Sequence, residues 1–162
     1  MQNAEDNPIP LILPVKPEHL DAITELERIC FPCPWKRSFF EQELSAPRRF
    51  LRVLYLGGMV IGYLFSYFIV PEIHISKIAT HPDFQRKGYA HLLMEDLRRF
   101  CLKQGIDTVT LEVRTTNVPA LNFYKTWNFE ILHIRKRYYD DGSDAYVMLA
   151  RFSQSDPENE IP

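Results

Sequence analysis

Cysteine is scarce: Cys30, Cys33 and Cys101 are the only three in 162 residues, an odd number that is too small for a disulfide framework. A reducing cytosol is the default setting, and a cytoplasmic location is expected. An excess of charge of one sign is also missing. Lys and Arg number 19 against 21 Asp and Glu, a net charge of -2, so no overall basic field exists to hold a nucleic-acid backbone. No nucleic acid is expected as a partner. The first residues include Glu5, Asp6 and Glu18 but no basic segment leading into an apolar stretch, so a signal peptide is not indicated. Long hydrophobic runs are nearly absent. The one that needs weighing is residues 53–70, eighteen without a charge, about the minimum for a transmembrane helix. Gly57-Gly58 divides it into two runs rich in aromatic and β-branched residues, which reads as a β-hairpin with a Gly-Gly turn. No membrane is expected either.

What is present is the composition of a globular domain, with 46% apolar, 13% aromatic and 25% charged residues. The length fits one domain, so any site must be built within one core. Residues 1–8 and 153–162 are short and polar and are expected to be disordered. The folded domain is expected over residues 9–152.

Within that range a first strand is expected over 9–15. A helix follows in which Leu20, Ile23, Leu26, Glu27 and Cys30 approximate a 3.6 period, ending by Pro32. Residues 35–44 read as a second short helix, 50–56 and 59–66 as the hairpin, and 72–80 as a strand whose alternation is imperfect. Ala90, Leu93, Met94, Leu97 and Cys101 place one apolar face on a helix over 88–104, stopped by Gly105. Residues 107–114 alternate cleanly as a strand. Asn117 caps a short helix with Pro119 in its first turn, and strands over 129–138 and 144–152 flank the turn at 140–143. The expected fold class is α/β, a single domain in which the strands before and after the long helix can lie parallel while the hairpins are antiparallel.

The most informative segment is Gln85-Arg86-Lys87-Gly88-Tyr89-Ala90, which follows a strand and opens the long helix. A loop there presents backbone N–H groups beside the positive end of the helix dipole, a setting suited to phosphate or pyrophosphate. A plain strand-to-helix turn with surface cations is the alternative. It is not a P-loop, since no Gly-Lys-Ser/Thr follows. Glu112 stands on the polar face of a strand and could accept a proton directly or through water, or could simply be solvated. Asn117 and Tyr124 also have plain readings, as an N-cap and an amphipathic core tyrosine. Cys30 and Cys33 have redox spacing, but Cys30 ends a helix where a reactive thiol would begin one. No second Cys or His pair has zinc-ligand spacing, so no metal is expected.

Taken together, these residues resemble the GNAT superfamily of acetyl-CoA-dependent N-acetyltransferases. Its pyrophosphate loop has the pattern Gln/Arg-x-x-Gly-x-Gly/Ala, which Gln85, Gly88 and Ala90 fit. Within it the chain is most similar to the bacterial ribosomal-protein-alanine N-acetyltransferase group, through residues 78–86, Leu111-Glu112-Val113-Arg114 with Asn117, Phe123-Tyr124 before Phe129, and residues 135–139 with the Asp-Gly turn after them. The resemblance covers nearly all of residues 11–152. It implies a mixed, mostly antiparallel twisted sheet of six to seven strands with four helices. It also implies that backbone groups of Ile78, Ala79 and Thr80 line the acetyl and pantetheine arm of acetyl-CoA. Gln85, Arg86, Lys87, Gly88, Tyr89, Ala90 and His91 would hold the pyrophosphate and Asn117 would touch the cosubstrate. Glu112 matches the general base and Tyr124 the general acid. Phe31, Trp35, Tyr138 and Tyr139 are candidate walls of a groove for the acceptor, a protein N-terminus and possibly that of a ribosomal protein. Two departures stand out: Tyr89 is bulkier than the usual aliphatic residue, and the Phe-Pro-Trp stretch of the group appears as Phe31-Pro32-Cys33-Pro34-Trp35.

The acceptor can be ranked chemically. An α-amino group, with a pKa of about 7.7–8.0 against about 10.4 for lysine, has a deprotonation advantage of roughly 3 kcal/mol at neutral pH. A carboxylate is a sufficient base for the former and a weak one for the latter. The alternatives are a GNAT enzyme for a lysine side chain or small amine, a non-catalytic acyl-CoA-binding sensor, and an unrelated phosphate-binding domain. The sensor would need neither Glu112 nor Tyr124, and the last would leave Glu112, Asn117 and Tyr124 as coincidences.

Overall fold

Residues 7–154 are described in the computed structural model; the expected disordered ends, 1–8 and 153–162, lie mostly outside them. Seven strands, β1 (Leu11–Pro14), β2 (Arg49–Leu56), β3 (Met59–Ile69), β4 (Glu72–Thr80), β5 (Thr108–Arg114), β6 (Glu130–Arg135) and β7 (Ala145–Arg151), form one sheet in the order β1-β2-β3-β4-β5-β7-β6. Only β4 and β5 are parallel neighbours; the other pairs are antiparallel. Four α-helices accompany them: α1 (Leu20–Cys30), α2 (Arg37–Ser45), α3 (Tyr89–Gln104) and α4 (Val118–Thr126). A parallel pair cannot be joined by a tight turn, and α3 is the crossover that joins this one. The expected α/β class, mostly antiparallel sheet and helix count agree with this architecture.

The uncharged stretch over residues 53–70 is explained by β3, which is buried on both faces. Ile61 and Leu64 pack into the cluster under α3 and α4, while Tyr63 and Phe65 pack into the cluster under α1 and α2. Among the described residues no helix is long and apolar enough to cross a membrane. On the first side Leu93, Met94, Leu97 and Cys101 of α3 are wholly buried, as their spacing requires. Gly88 and Gly105 bracket α3 with φ of 86° and 71°, a conformation that suits glycine at both caps. On the second side Phe40 meets Tyr63 and Phe65 edge-on, with centroids 5.9 and 5.2 Å apart.

Strand β1 is shorter than the expected 9–15 and β3 runs on to Ile69, past the expected 66; three further features have a local cause. Helix α2 begins at Arg37, not 35, because the backbone N–H of Trp35 is committed to Glu27 Oε1 at 2.9 Å and Lys36 is extended. Strand β6 ends at Arg135, short of 138. There Arg137 turns to a φ of 52°, and its N–H and the Lys136 ammonium both reach the Asp144 carboxylate. The imperfect alternation of β4 comes from a β-bulge at Ser76: Lys77 lies opposite Phe65 and Ile75 opposite Ser66, leaving Ser76 as the extra residue.

Candidate active site

The parallel ladder between β4 and β5 stops at the Ile75–Leu111 pair. Beyond it β4 stays with β3 while β5 stays with β7, so the two strands part, and the Ser76 bulge adds twist at the same point. Glu112 is the first residue of β5 past the ladder. Two clefts open around the gap, of about 780 and 560 Å³. Cys30, Phe31, Ile78, Asn117, Ala120 and Tyr124 line both, so a ligand in one can meet a ligand in the other.

The larger cleft brings together every residue that the resemblance assigns to acetyl-CoA: Ile78, Ala79, Thr80, Gln85, Arg86, Lys87, Gly88, Tyr89, Ala90, His91 and Asn117. The loop before α3 is bent by two left-handed residues, Arg86 at φ 61° and Gly88 at φ 86°. It is tied back by Gln85 Nε2, which donates to the Thr80 carbonyl at 3.0 Å. The first backbone N–H groups of α3 have no partner within the helix. A Cβ built on Gly88 would meet nothing within 4 Å, so the space over the loop is open to a phosphate. Thr80 Oγ1 is buried without a hydrogen-bond partner among the described residues. Such a hydroxyl is costly unless a ligand completes it. An elongated anion with polar groups along its arm therefore fits this cleft.

Two of these residues act as scaffold as well as lining. Trp127 Nε1 donates to His91 Nδ1 at 2.9 Å, and burial lowers the pKa of the imidazole. His91 thus joins α3 to α4 as a neutral ring rather than supplying a cation for phosphate. Asn117 Oδ1 accepts from the Ala120 N–H at 3.2 Å, so the N-cap reading holds while the same residue lines both clefts. Tyr89 leans edge-on to Phe84, 6.3 Å between centroids, which accommodates its bulk beside the loop.

The smaller cleft is lined by Phe31, Trp35, Tyr138 and Tyr139, with Glu112 and Tyr124. Glu112 Oε2 lies 2.6 Å from His74 Nε2, and Oε1 lies 3.7 Å from Arg135 Nη1. Burial alone would raise this carboxyl, but the hydrogen bond and charge of His74 together with Arg135 outweigh it and hold the group below its ordinary range. Glu112 is therefore ionised at neutral pH. Tyr124 is the opposite case. It is buried, and desolvation with the nearby Tyr139 pushes its phenol far above the ordinary value, so it stays protonated as an acid must. Burial likewise moves Tyr139 up to about 12, and the Arg114 guanidinium sits 4.1 Å from its ring centroid while bonding Asp141 and Ser143. Arg114 thereby fixes the turn that forms one wall.

Four residues around the site have no role assigned by their sequence pattern: Glu27, Lys77, Arg135 and His74, whose plain reading as a surface or loop histidine is corrected by its place in β4 against Glu112. Glu27 is wholly buried; its Oε1 meets Lys77 Nζ at 2.9 Å and the Trp35 N–H, and its Oε2 accepts from the Tyr63 hydroxyl. Lys77 Nζ lies 3.7 Å from the Phe31 ring centroid and 5.0 Å from that of Trp35. The signal available was a carboxylate on the apolar face of α1. Cys30 shows no sign of reactivity: burial and the neighbouring Glu27 raise its thiol to about 11, against a smaller opposite effect of Lys77.

A parted parallel pair, a loop suited to an anion at the start of a helix, and an ionised carboxylate and a buried phenol lining one cleft are the features of a group-transfer enzyme that joins an elongated anionic donor to a second substrate. The sequence pattern described as "Acetyltransferase (GNAT) family" matches residues 20–129. The chain is 30% identical over 138 residues to the [ribosomal protein bS18]-alanine N-acetyltransferase of Escherichia coli (strain K12), covering 83% of this chain and 92% of that one. It is 33% identical over 144 residues to an N-alpha-acetyltransferase of Sulfolobus acidocaldarius, covering 81% and 86%. The crystal structure of the ribosomal-protein-S18-alanine N-acetyltransferase from Escherichia coli superposes with a TM-score of 0.83 at 27% identity, over 94% of this chain and 100% of that one. The chain belongs to the acetyltransferase (GNAT) family. It is an acetyl-CoA-dependent N-acetyltransferase.

Proposed function

We propose that the amine acetylated is the N-terminal α-amino group of a protein, with a ribosomal protein as the acceptor class, by direct attack of that amine on the thioester of acetyl-CoA. The activities of the relatives, an N-alpha-acetyltransferase and a ribosomal-protein-alanine N-acetyltransferase, support this acceptor. The observation that carries it is Glu112: an ionised carboxylate at the mouth of the gap between β4 and β5, facing the smaller cleft. A carboxylate held low is a poor base for a lysine ammonium and an adequate one for an α-amine that is already partly neutral. Acetyl-CoA supplies the activated acetyl group. Glu112 takes the proton shed by the amine, directly or through water, and Tyr124 gives one to the departing thiolate. Ile78, Ala79 and Thr80 hold the arm, residues 85–91 the pyrophosphate, and Asn117 adds a contact. Phe31, Trp35, Tyr138 and Tyr139 form the groove for the peptide. The catalytic domain spans residues 9–152, and the cytoplasm is the compartment, in keeping with three free thiols.

The test is thiol release from acetyl-CoA with two short peptides of one sequence, one with a free N-terminal alanine and no lysine, the other N-blocked with an internal lysine. Turnover on the first alone is the expected outcome. Turnover on the second alone moves the assignment to a lysine or small amine, and silence on both despite tight acetyl-CoA binding favours a sensor. Tyr124→Phe tests the acid. A thiolate leaving group, with pKa about 8.5, needs protonation less than an amine would, so kcat is expected to fall on the order of tenfold, with acetyl-CoA affinity within a few-fold. Wild-type turnover in that variant removes Tyr124 from the role.

A further inference from the structure

We propose that His74 is a positioning residue for Glu112, holding one carboxylate oxygen so that the other is the one offered to the acceptor amine; this rests on Glu112 serving as the base. His74 stands opposite Thr110 in the short parallel ladder, one pair before the strands part. Its ring spans two residues on the same face of β5. Nδ1 lies 2.8 Å from Thr110 Oγ1 and Nε2 lies 2.6 Å from Glu112 Oε2. Oε1 points away from the imidazole, with the half-exposed Arg135 guanidinium 3.7 Å from it. His74 does not line either cleft, so it acts from behind the carboxylate.

The Thr110 hydroxyl makes the hold independent of the charge on the ring. When His74 is neutral, Nε2–H donates to the carboxylate and the hydroxyl donates to Nδ1; when it is protonated, both ring N–H groups donate and the hydroxyl oxygen accepts. Aromatic and charged groups of the neighbouring strands border the pair. Tyr67 of β3 covers it with centroids 5.2 Å apart, and Arg49 of β2 lies 5.4 Å from the Tyr67 ring while paired to Glu43 of α2. From the far side come Arg135 of β6 and Tyr138 after it. A carboxylate facing the gap just past the ladder with β4 has no neighbouring strand on that side to fix its rotamer. Catalysis by proton transfer requires one of them.

The test compares kcat, KM and the pH profile of the wild type, His74→Gln, His74→Asn, His74→Phe, Glu112→Gln and the double variant His74→Phe/Glu112→Gln, using the peptide with a free N-terminal alanine. His74→Phe removes the hold and is expected to lower kcat about ten- to a hundredfold with KM for acetyl-CoA within about twofold, and to extend the rise in rate above pH 8 as Glu112→Gln does. His74→Gln, whose amide reaches the Nε2 position, restores kcat to within about threefold; His74→Asn, too short, does not. In the Glu112→Gln background the His74→Phe change costs less than about twofold, because no carboxylate remains to be held. Additive losses, an unaltered pH profile, or equal activity of the Gln and Asn variants overturn the role of His74. If the Phe variant does not fold, the Gln and Asn pair decides alone. Full activity of Glu112→Gln defeats the reading of Glu112 as base, whereas an impaired Glu112→Gln beside an unimpaired His74→Phe defeats only this inference.

Discussion

Glu112→Gln is expected to lower kcat for an N-terminal peptide by about a hundredfold or more, the usual contribution of a positioned base, and to change the form of the pH profile. The carboxyl of Glu112 is held below its ordinary range, so in the wild type it is ionised throughout the neutral and mildly acidic range and does not itself create an acid limb. The rise in rate with pH comes from the amine, which loses its proton near pH 7.7–8.0, and the wild type should level off above about pH 8. In the amide variant the proton lost on attack must go to solvent, whose hydroxide concentration goes on increasing. Its rate should therefore continue to climb where the wild type is flat. A lysine acceptor, titrating at about 10.4, would give the wild type that climbing profile as well. The substitution removes the negative charge opposite the His74 imidazole and the Arg135 guanidinium but keeps one acceptor oxygen and nearly the same volume, so a melting curve separates lost chemistry from lost fold. Equal turnover with an identical pH profile would sink the role.

What could be read from the chain alone was whatever depends on local spacing. The period of Leu93, Met94, Leu97 and Cys101 fixed α3 and its buried face, and the alternation along Thr108–Arg114 fixed the strand that presents Glu112. The loop at Gln85 to Ala90 was legible because its chemistry lies in consecutive backbone groups. The parting of β4 and β5 was not. It depends on where pairing ends between two strands separated by a whole helix, and on a bulge whose only local trace was a faulty alternation near Ser76. His74 escaped for the same reason, since nothing near it in sequence points to Glu112. The neighbours of Trp35 favour a helix, but its N–H is held by Glu27, a tertiary contact that overrides local propensity.

Glu27 carries the second large effect. Its carboxylate is wholly buried and gathers three donors: the Lys77 ammonium, the Trp35 backbone N–H and the Tyr63 hydroxyl. Burial, with the Glu27 charge, drives the Tyr63 phenol well above its ordinary value, so it remains a donor at any working pH. Glu27→Leu strands all three at once. Breaking a fully buried pair costs about 3–5 kcal/mol, and with Lys77 partly open to the smaller cleft the lower end of that range is expected, still a large part of the 5–15 kcal/mol by which domains are commonly stable. For a chain of this size the expected fall in Tm is on the order of 10 °C. Lys77→Met should be costly too, because the carboxylate then keeps only neutral donors. The double variant Glu27→Leu/Lys77→Met removes both charges, so it should be more stable than the sum of the single losses by about 2 kcal/mol or more; strict additivity would show that the pair is not coupled. The same contacts link stability to catalysis. Lys77 lies against Phe31 and Trp35, and Glu27 holds Trp35 by its backbone, so this ion pair shapes a wall of the smaller cleft, proposed to take the acceptor, while the loop before α3 lies elsewhere. In Glu27→Gln, whose single amide oxygen can still accept from the Trp35 N–H while its NH2 donates to the Tyr63 hydroxyl oxygen, the fold should survive, with KM raised for the peptide and nearly unchanged for acetyl-CoA. A rise in KM for both substrates alike would mean that the network supports the whole core and not this wall.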